Sequence, residues 1–255
     1  MSVIDIFDIS GRKALVTGAA RGIGKVLALT LAEAGCDVSL VGLHIEGLEE
    51  VAAELHRIGV KALAYQVDVS KKDEVDRAFS KTAKEFGRLD ICVNNAGVSF
   101  QMPVEDMPEE EWDNIIDTNM KGVFLCSQAA ARIMIPQRSG CIINLASISG
   151  HAVNVPQKQA VYNSSKAGVA MLTKSMALEW AEYGIRVNAL SPGYMKTEMT
   201  LSTMSHLFPE WEAITPLGRL GEPEELRGAL LFLASDASSY MIGHDLIIDG
   251  GYTIR

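Results

Sequence analysis

The stretch Lys13-Ala14-Leu15-Val16-Thr17-Gly18-Ala19-Ala20-Arg21-Gly22-Ile23-Gly24 joins a short apolar run to a glycine-rich turn. A helical pattern follows at once over Lys25 to Ala34 and ends at Gly35, and Val38-Ser39-Leu40-Val41 reads as the next strand. The unit is therefore strand, glycine-rich turn, helix, strand. Glycines in such a turn let the backbone approach a pyrophosphate, which rests on the N-terminus of the helix. A glycine-rich loop alone is a weak signal; the strand before it and the helix after it supply the context that gives it meaning. The spacing is Thr-Gly-x-x-x-Gly-x-Gly rather than the commoner G-x-G-x-x-G.

Working outward, the same alternation continues. Leu48, Val51, Ala52, Leu55 and Ile58 keep helical periodicity. Ala62 to Val67 is a third strand with Asp68-Val69 at its carboxyl end, and Lys72 to Phe86 is a helix. Leu89 to Val93 is a strand that runs into Asn94-Asn95-Ala96-Gly97. A helix from Glu109 to Ala131 presents Trp112, Ile115, Ile116, Asn119, Val123 and Cys126 as one stripe. Asn119 on that apolar face is either a structural bond-maker or a site residue, because a buried amide needs partners. Cys141 to Leu145, Arg186 to Leu190 and Asp245 to Asp249 are further strands, and Pro223 to Ala234 a further helix. Alternation of this kind predicts an α/β fold, a single Rossmann-type doubly wound parallel sheet with helices on both faces. Ligands in such sheets sit at the carboxyl ends of the strands. Residues at about 195–215, rich in Met, Leu, Phe and Trp, read as a mobile apolar substrate flap; a packed surface helix pair is the alternative.

At 255 residues and 48% hydrophobic content the chain can bury a large core. No linker-like composition divides it, so residues 1–255 read as one domain. A net charge of −9 without a basic block argues against nucleic acid and against an anionic membrane surface. The opening residues carry Asp5 and Asp8 and no basic n-region, unlike a signal peptide, and no charge-free run approaches a membrane span. Cys36, Cys92, Cys126 and Cys141 are scattered without a CxxC, as small buried hydrophobes of a reducing, cytoplasmic compartment would be. The histidines show no metal-ligand spacing, and no metal site is expected.

Between Pro156 and Gly184 there is no proline, and the stretch reads as one long helix. On it Tyr162 and Lys166 stand one turn apart on the same face, with the small or modestly polar Ala170, Thr173 and Ala177 continuing the stripe. An ammonium beside a phenol lowers the phenol pKa from about 10 toward neutrality and makes it a usable acid/base. An ordinary exposed Tyr/Lys pair is the plain alternative.

Together the Thr17–Gly24 turn, Asp68, Asn94-Asn95-Ala96-Gly97, Asn119, Ser147, Tyr162-x-x-x-Lys166 and Pro192-Gly193 resemble the classical short-chain dehydrogenase/reductase family, in the right order and over nearly the whole chain. The resemblance implies that Gly18, Arg21, Gly22, Ile23 and Gly24 cradle dinucleotide phosphates. Asp68 and Val69 would meet the adenine, and Asn95, Ala96 and Gly97 the adenosine-side ribose and nearby backbone. Tyr162 would be the general acid/base, Lys166 would bond the nicotinamide ribose, and Ser147 would orient the substrate carbonyl. Asn119 would hold a water linking Lys166 to solvent. Pro192, Gly193, Met195 and Thr197 would hold the nicotinamide carboxamide. Hydride transfer at nicotinamide would then be coupled to proton transfer at Tyr162, the protein supplying alignment.

Ser147 and Ser149 both precede Gly150, and the family spacing selects Ser147. The long loop from Gly150 to Gln157, with Gln159-Ala160-Val161-Tyr162-Asn163, resembles members acting on polyols and ketoses. Ser149, His151, Asn154, Gln157 or Gln159, and Tyr194 are the candidate contacts to substrate hydroxyls; solvent-facing loop polarity is the alternative for the first loop. For cofactor choice, Gly42-Leu43-His44 at the end of the second strand has neither the acid typical of NAD users nor an arginine, and with Arg21 this leaves a slight lean to NADP over NAD. The expected activity is interconversion of a secondary alcohol and a ketone on a small sugar-alcohol or ketose substrate, in a homotetramer by family analogy. The alternatives are 3-oxoacyl-carrier-protein reduction, for which Arg138 would serve docking, and a non-catalytic dinucleotide-binding regulator.

Overall fold

The computed structural model of the protein describes residues 2–255. Seven parallel strands make one sheet: β1 (Lys13–Thr17), β2 (Asp37–Gly42), β3 (Ala62–Gln66), β4 (Ile91–Asn94), β5 (Gly140–Leu145), β6 (Ile185–Pro192) and β7 (Asp245–Ile248). The helices are α1 (Gly22–Glu33), α2 (Ile45–Ile58), α3 (Lys72–Phe86), α4 (Glu109–Ile116), α5 (Gly122–Gln137), α6 (Ala160–Trp180), α7 (Glu198–Thr203), α8 (Phe208–Ile214) and α9 (Arg227–Ala234). The strand order is β3-β2-β1-β4-β5-β6-β7. The chain winds from β1 out to β3 and then returns to the other side of β1, where Leu15 pairs with Cys92. Connections leaving β1 and β4 therefore diverge and open a crevice at their carboxyl ends.

Successive side chains of a strand point to opposite faces. Ala14 and Val16 of β1, Ile91 and Val93 of β4, and Cys141 and Ile143 of β5 pack on the side of α1, α2 and α9. Leu15, Cys92 and Ile142, between them, pack on the side of α3, α5 and α6. Both faces are buried, which is why these strands read as continuous apolar runs rather than alternating ones. On α2 the stripe of Leu48, Val51 and Leu55 is fully buried, and each such leucine contributes about 1.5–3 kcal/mol by leaving water.

Two stretches depart from the sequence reading. The helix expected from Glu109 to Ala131 is α4 and α5 joined by a π-helical turn at Asp117–Lys121, and α5 runs on through Pro136 to Gln137. Ile115, Asn119, Val123 and Cys126 are buried as the stripe requires, but Trp112 at its start, in the first turn of α4, is 46% exposed. The segment after Pro192 is folded as the short helices α7 and α8, with Trp211 buried beneath them.

Candidate active site

The glycine-rich turn lies at the crevice between β1 and β4. Gly18 and Gly22 adopt positive φ (64° and 55°), a region costly for residues with a Cβ. Gly24 packs so closely that a Cβ there would lie 2.2 Å from Gly18 O and 2.4 Å from Asn95 Nδ2. Asn95 acts as the staple. Its side-chain amide donates to Thr17 O (3.0 Å) and Gly18 O (3.1 Å), while its backbone N–H and that of Ala96 donate to Thr17 Oγ1. The expected ribose contact of Asn95 is thus a secondary matter for its side chain, which is spent on shaping the turn. α1 begins at Gly22 with no side chain capping its first N–H groups. An exposed set of N–H donors on a close-packed glycine turn fits a dinucleotide phosphate.

Tyr162 and Lys166 share one face of α6, with the ammonium 5.7 Å from the phenol ring centre. A Cβ at Gly150 would lie 3.0 Å from the backbone N of Ala167, so the loop carrying Ser147 sits directly on α6. This is what brings a strand-end serine beside a helical tyrosine. Lys166 is buried and donates to Leu145 O at 2.8 Å. Burial brings its pKa down to about 8. Tyr162 moves the opposite way from the sequence expectation: burial pushes its phenol up, and the neighbouring Ser147 hydroxyl pulls back. The reason is that desolvation penalises phenolate and ammonium alike, and a lysine committed to a carbonyl does not offset it.

Asn119, expected to hold a water, has both ends of its side-chain amide bonded within the chain. Its Oδ1 accepts from Val98 N–H (2.8 Å), and its Nδ2 donates to Val98 O (2.9 Å) and Ser165 Oγ (3.1 Å). It ties the end of β4 to the π-helical turn and α6, and it does not line the cleft. His151 is also brought elsewhere. It pairs with Asp245 on β7 (2.8 Å) and stands outside the cleft wall. A short polar loop could have turned either way, and the buried carboxylate on β7 decided it.

The other candidates converge on a cleft of about 680 Å³, within the range of small-molecule and cofactor sites. Gly18, Arg21, Gly22, Ile23 and Gly24 line one end with Asp68 and Val69. Asp68 uses one carboxylate oxygen to accept from Ser70 N–H (2.9 Å). Ala96 and Gly97 follow β4, Ser147 follows β5 beside Tyr162 and Lys166 of α6, and Pro192, Gly193, Met195 and Thr197 lie at and after the end of β6, so they line the cleft in strand order. Ser149, Asn154, Gln159 and Tyr194 close the far end. Sequence reasoning did not single out Trp211, Met199 or Met204, which also line the cleft; the apolar richness of that segment was the available signal. It also missed a buried row in which Asn94 donates to Asn144 (2.8 Å) and Asn144 to Thr173 (2.9 Å), crossing from β4 through β5 to α6. Among the described residues no cluster of three or more metal-ligating side chains occurs, and no helix is long and apolar enough to cross a membrane.

Known proteins share this arrangement. Residues 18–253 match a family model described as enoyl-(acyl carrier protein) reductase. A sorbose reductase of Candida albicans is 40% identical over 99% of this chain and 90% of its own length. A crystal structure of a short-chain type dehydrogenase/reductase from Mycobacterium marinum is 49% identical, with a TM-score of 0.97 and both chains covered completely. A gluconate 5-dehydrogenase from Burkholderia cenocepacia, solved with NADP and tartrate, is 37% identical with a TM-score of 0.93, again over the whole of both chains. A close-packed glycine turn at the switch point, a Tyr–Lys pair facing a strand-end serine, and this agreement from end to end have one explanation: the chain belongs to the short-chain dehydrogenase/reductase family of oxidoreductases.

Proposed function

We propose that the protein is an NADPH-dependent reductase of small polyhydroxylated ketones, working reversibly on the matching sugar alcohols. The observation that carries this is the single cleft in which the glycine turn, the Tyr162–Lys166–Ser147 group and an amide-lined far end follow one another. The hydride would come from a dinucleotide held by the glycine turn. The chain's own residues hold the carbonyl and move the proton. Ser147 Oγ, next to Tyr162, orients the carbonyl oxygen, and Tyr162 protonates that oxygen as the carbonyl is reduced. Its raised pKa keeps it a protonated acid at neutral pH, which suits reduction; alcohol oxidation needs the phenolate and so higher pH. Lys166, with a pKa near 8, is largely charged at neutral pH and has further N–H donors besides the one on Leu145 O for a ribose hydroxyl. Pro192, Gly193, Met195 and Thr197 are proposed to seat the nicotinamide end, and Asn119 to act by holding Val98 rather than by touching ligand.

The lean to NADP rests on Arg21, which lines the cleft and has no carboxylate partner among the described residues, and on the missing acid at Gly42-Leu43-His44. The NADP-bound gluconate 5-dehydrogenase and the sorbose reductase support both cofactor and substrate class. We further read the protein as a cytoplasmic homotetramer. Its four unpaired, buried cysteines suit a reducing compartment, and Trp112 and Phe124, Met171 and Leu178 leave apolar surface exposed along α4, α5 and α6. The carrier-protein alternative gains nothing from Arg138, which precedes β5 at the amino-terminal ends of the strands, away from the cleft at their carboxyl ends, and donates to Glu182 O.

The test is a panel of ketoses and keto acids with NADPH and with NADH, run on wild type and on Tyr162→Phe. We expect turnover with NADPH in the wild type, and in the variant the loss of at least a thousandfold in kcat with NADPH binding retained. A variant that turns over like the wild type would place the proton transfer elsewhere. A wild type inert toward the whole panel would reject the substrate class.

A further inference from the structure

Beyond Ser147 lies a connected chain of polar side chains that the reaction just described does not use. The Trp211 indole N–H donates to Gln157 Oε1 (3.1 Å). Gln157 Nε2 donates to the Tyr194 hydroxyl oxygen (2.9 Å), and Asn154 Nδ2 donates to the same oxygen (3.0 Å). Asn154 Oδ1 in turn accepts from Gln159 Nε2 (2.9 Å), which also reaches Ser149 Oγ (3.2 Å), the neighbour of Ser147 Oγ (3.0 Å). Asn154, Gln157, Gln159 and Trp211 are all more than nine-tenths buried. The Tyr194 ring lies flat on Trp211, with centroids 4.1 Å apart and planes within 4°, and takes the edge of Tyr252 at 5.3 Å.

A phenol offers one hydrogen and accepts at its oxygen. Both accepting positions of Tyr194 are filled by amide N–H groups, which can only donate. The hydroxyl hydrogen is the capacity left: it makes no hydrogen bond within 3.5 Å among the described residues, the buried and unpartnered Tyr252 hydroxyl stands near enough to compete for it, and the side chain lines the cleft. The geometry points to Tyr194 as a donor-only specificity residue, which binds an oxygen acceptor that the substrate carries away from its reacting carbonyl, with Trp211 as the positioning residue that holds it in that role. The inference rests on the proposed reduction of polyhydroxylated ketones and names the contact that selects them. Burial also pushes the Tyr194 pKa far up, so the hydroxyl keeps its proton throughout the working pH range. The acceptor is a hydroxyl or a carboxylate oxygen, the second being the stronger.

The test measures KM and kcat with saturating NADPH for three ketones: L-sorbose, which offers hydroxyls; 5-keto-D-gluconate, which adds a carboxylate; and cyclohexanone, which offers nothing beyond its carbonyl. Tyr194→Phe keeps the ring stack and removes the donor. We expect KM to rise about tenfold for at least one of the first two, with kcat within about threefold and the KM for cyclohexanone within about twofold. A larger loss on the keto acid assigns the carboxylate, and an equal loss on both assigns a hydroxyl. Trp211→Phe, which keeps an aromatic ring but loses the N–H to Gln157, should shift the same KM values in the same direction by about threefold. A rise in all three KM values together, or in none, overturns the inference while leaving the proposed activity standing. A wild type that reduces cyclohexanone but neither polyhydroxylated ketone removes both.

Discussion

Among the glycines, Gly24 is where an added methyl would meet its neighbours most closely, so Gly24→Ala is the sharpest test of the turn. The added methyl would sit 2.2 Å from Gly18 O and 2.4 Å from Asn95 Nδ2, where ordinary contact is nearer 3.5–4 Å. One of the two neighbours is backbone held by the sheet; the other is the amide that staples the turn through bonds to Thr17 O and Gly18 O. Overpacking of this kind costs about 1–3 kcal/mol, and losing those two hydrogen bonds adds about 1 kcal/mol each. The sum, about 3–5 kcal/mol, is a large part of the roughly 5–15 kcal/mol by which domains are stable. In a chain of this size it lowers the thermal midpoint by about 6–9 °C. The same substitution at Gly228, exposed on α9 with nothing within 4 Å of the added methyl, should be stabilising by about 0.5–1 kcal/mol. The assay is thermal and urea unfolding of both variants at one protein concentration, with NADPH binding followed by nicotinamide fluorescence. We expect the midpoints to move in opposite directions, and the NADPH dissociation constant to rise at least tenfold in Gly24→Ala alone. If Gly24→Ala melts with the wild type and binds NADPH as tightly, the turn is not the close-packed cradle described above.

Lys166→Met separates stability from function. Lys166 titrates near 8 in the folded protein against an ordinary 10.5, so below pH 8 its burial penalty is fully present; between pH 8 and 10.5 the unfolded chain binds the extra proton and stability rises with pH. The penalty is about 3 kcal/mol, offset by about 1 kcal/mol for the lost bond to Leu145 O. The variant should therefore be inactive yet melt a few degrees above wild type at pH 7, with the advantage fading toward pH 10.5; a difference that stays constant with pH would refute the assignment. Asn119→Leu leaves both polar groups of Val98 without their partner and should lose about 2–4 kcal/mol in urea unfolding; a neutral result would return Asn119 to a purely ligand-side role. His151→Ala should leave KM for any active ketose within about twofold and cost about 1 kcal/mol through Asp245. A tenfold rise in KM would put the histidine back in the cleft.

Local pattern and global arrangement contributed different things to this protein. The boundaries of β1 and α3 were legible residue by residue, because an apolar run closed by glycines or an amphipathic stripe between turns carries its own signal in the chain. The glycine turn, the Tyr162–Lys166 spacing and Ser147 were equally legible, since each depends on neighbours a few residues away. The π-helical turn at Asp117–Lys121 was not, because one extra residue in a turn leaves no periodic mark in a short stripe, and its buried Asn119 finds its partner on Val98 only after β4 is in the sheet. Direction of proton affinity was likewise hidden. Proximity along α6 argues for an acidic tyrosine, whereas the water removed by the packing around it, the loop at Gly150 included, argues the other way, and desolvation is a property of everything packed around a group. His151 and Trp211 show the same division at the substrate end. Residue type nominated the polar loop histidine and passed over the tryptophan in an apolar segment, but which one faced the cleft depended on Asp245 and Gln157, far away in sequence and close only when folded.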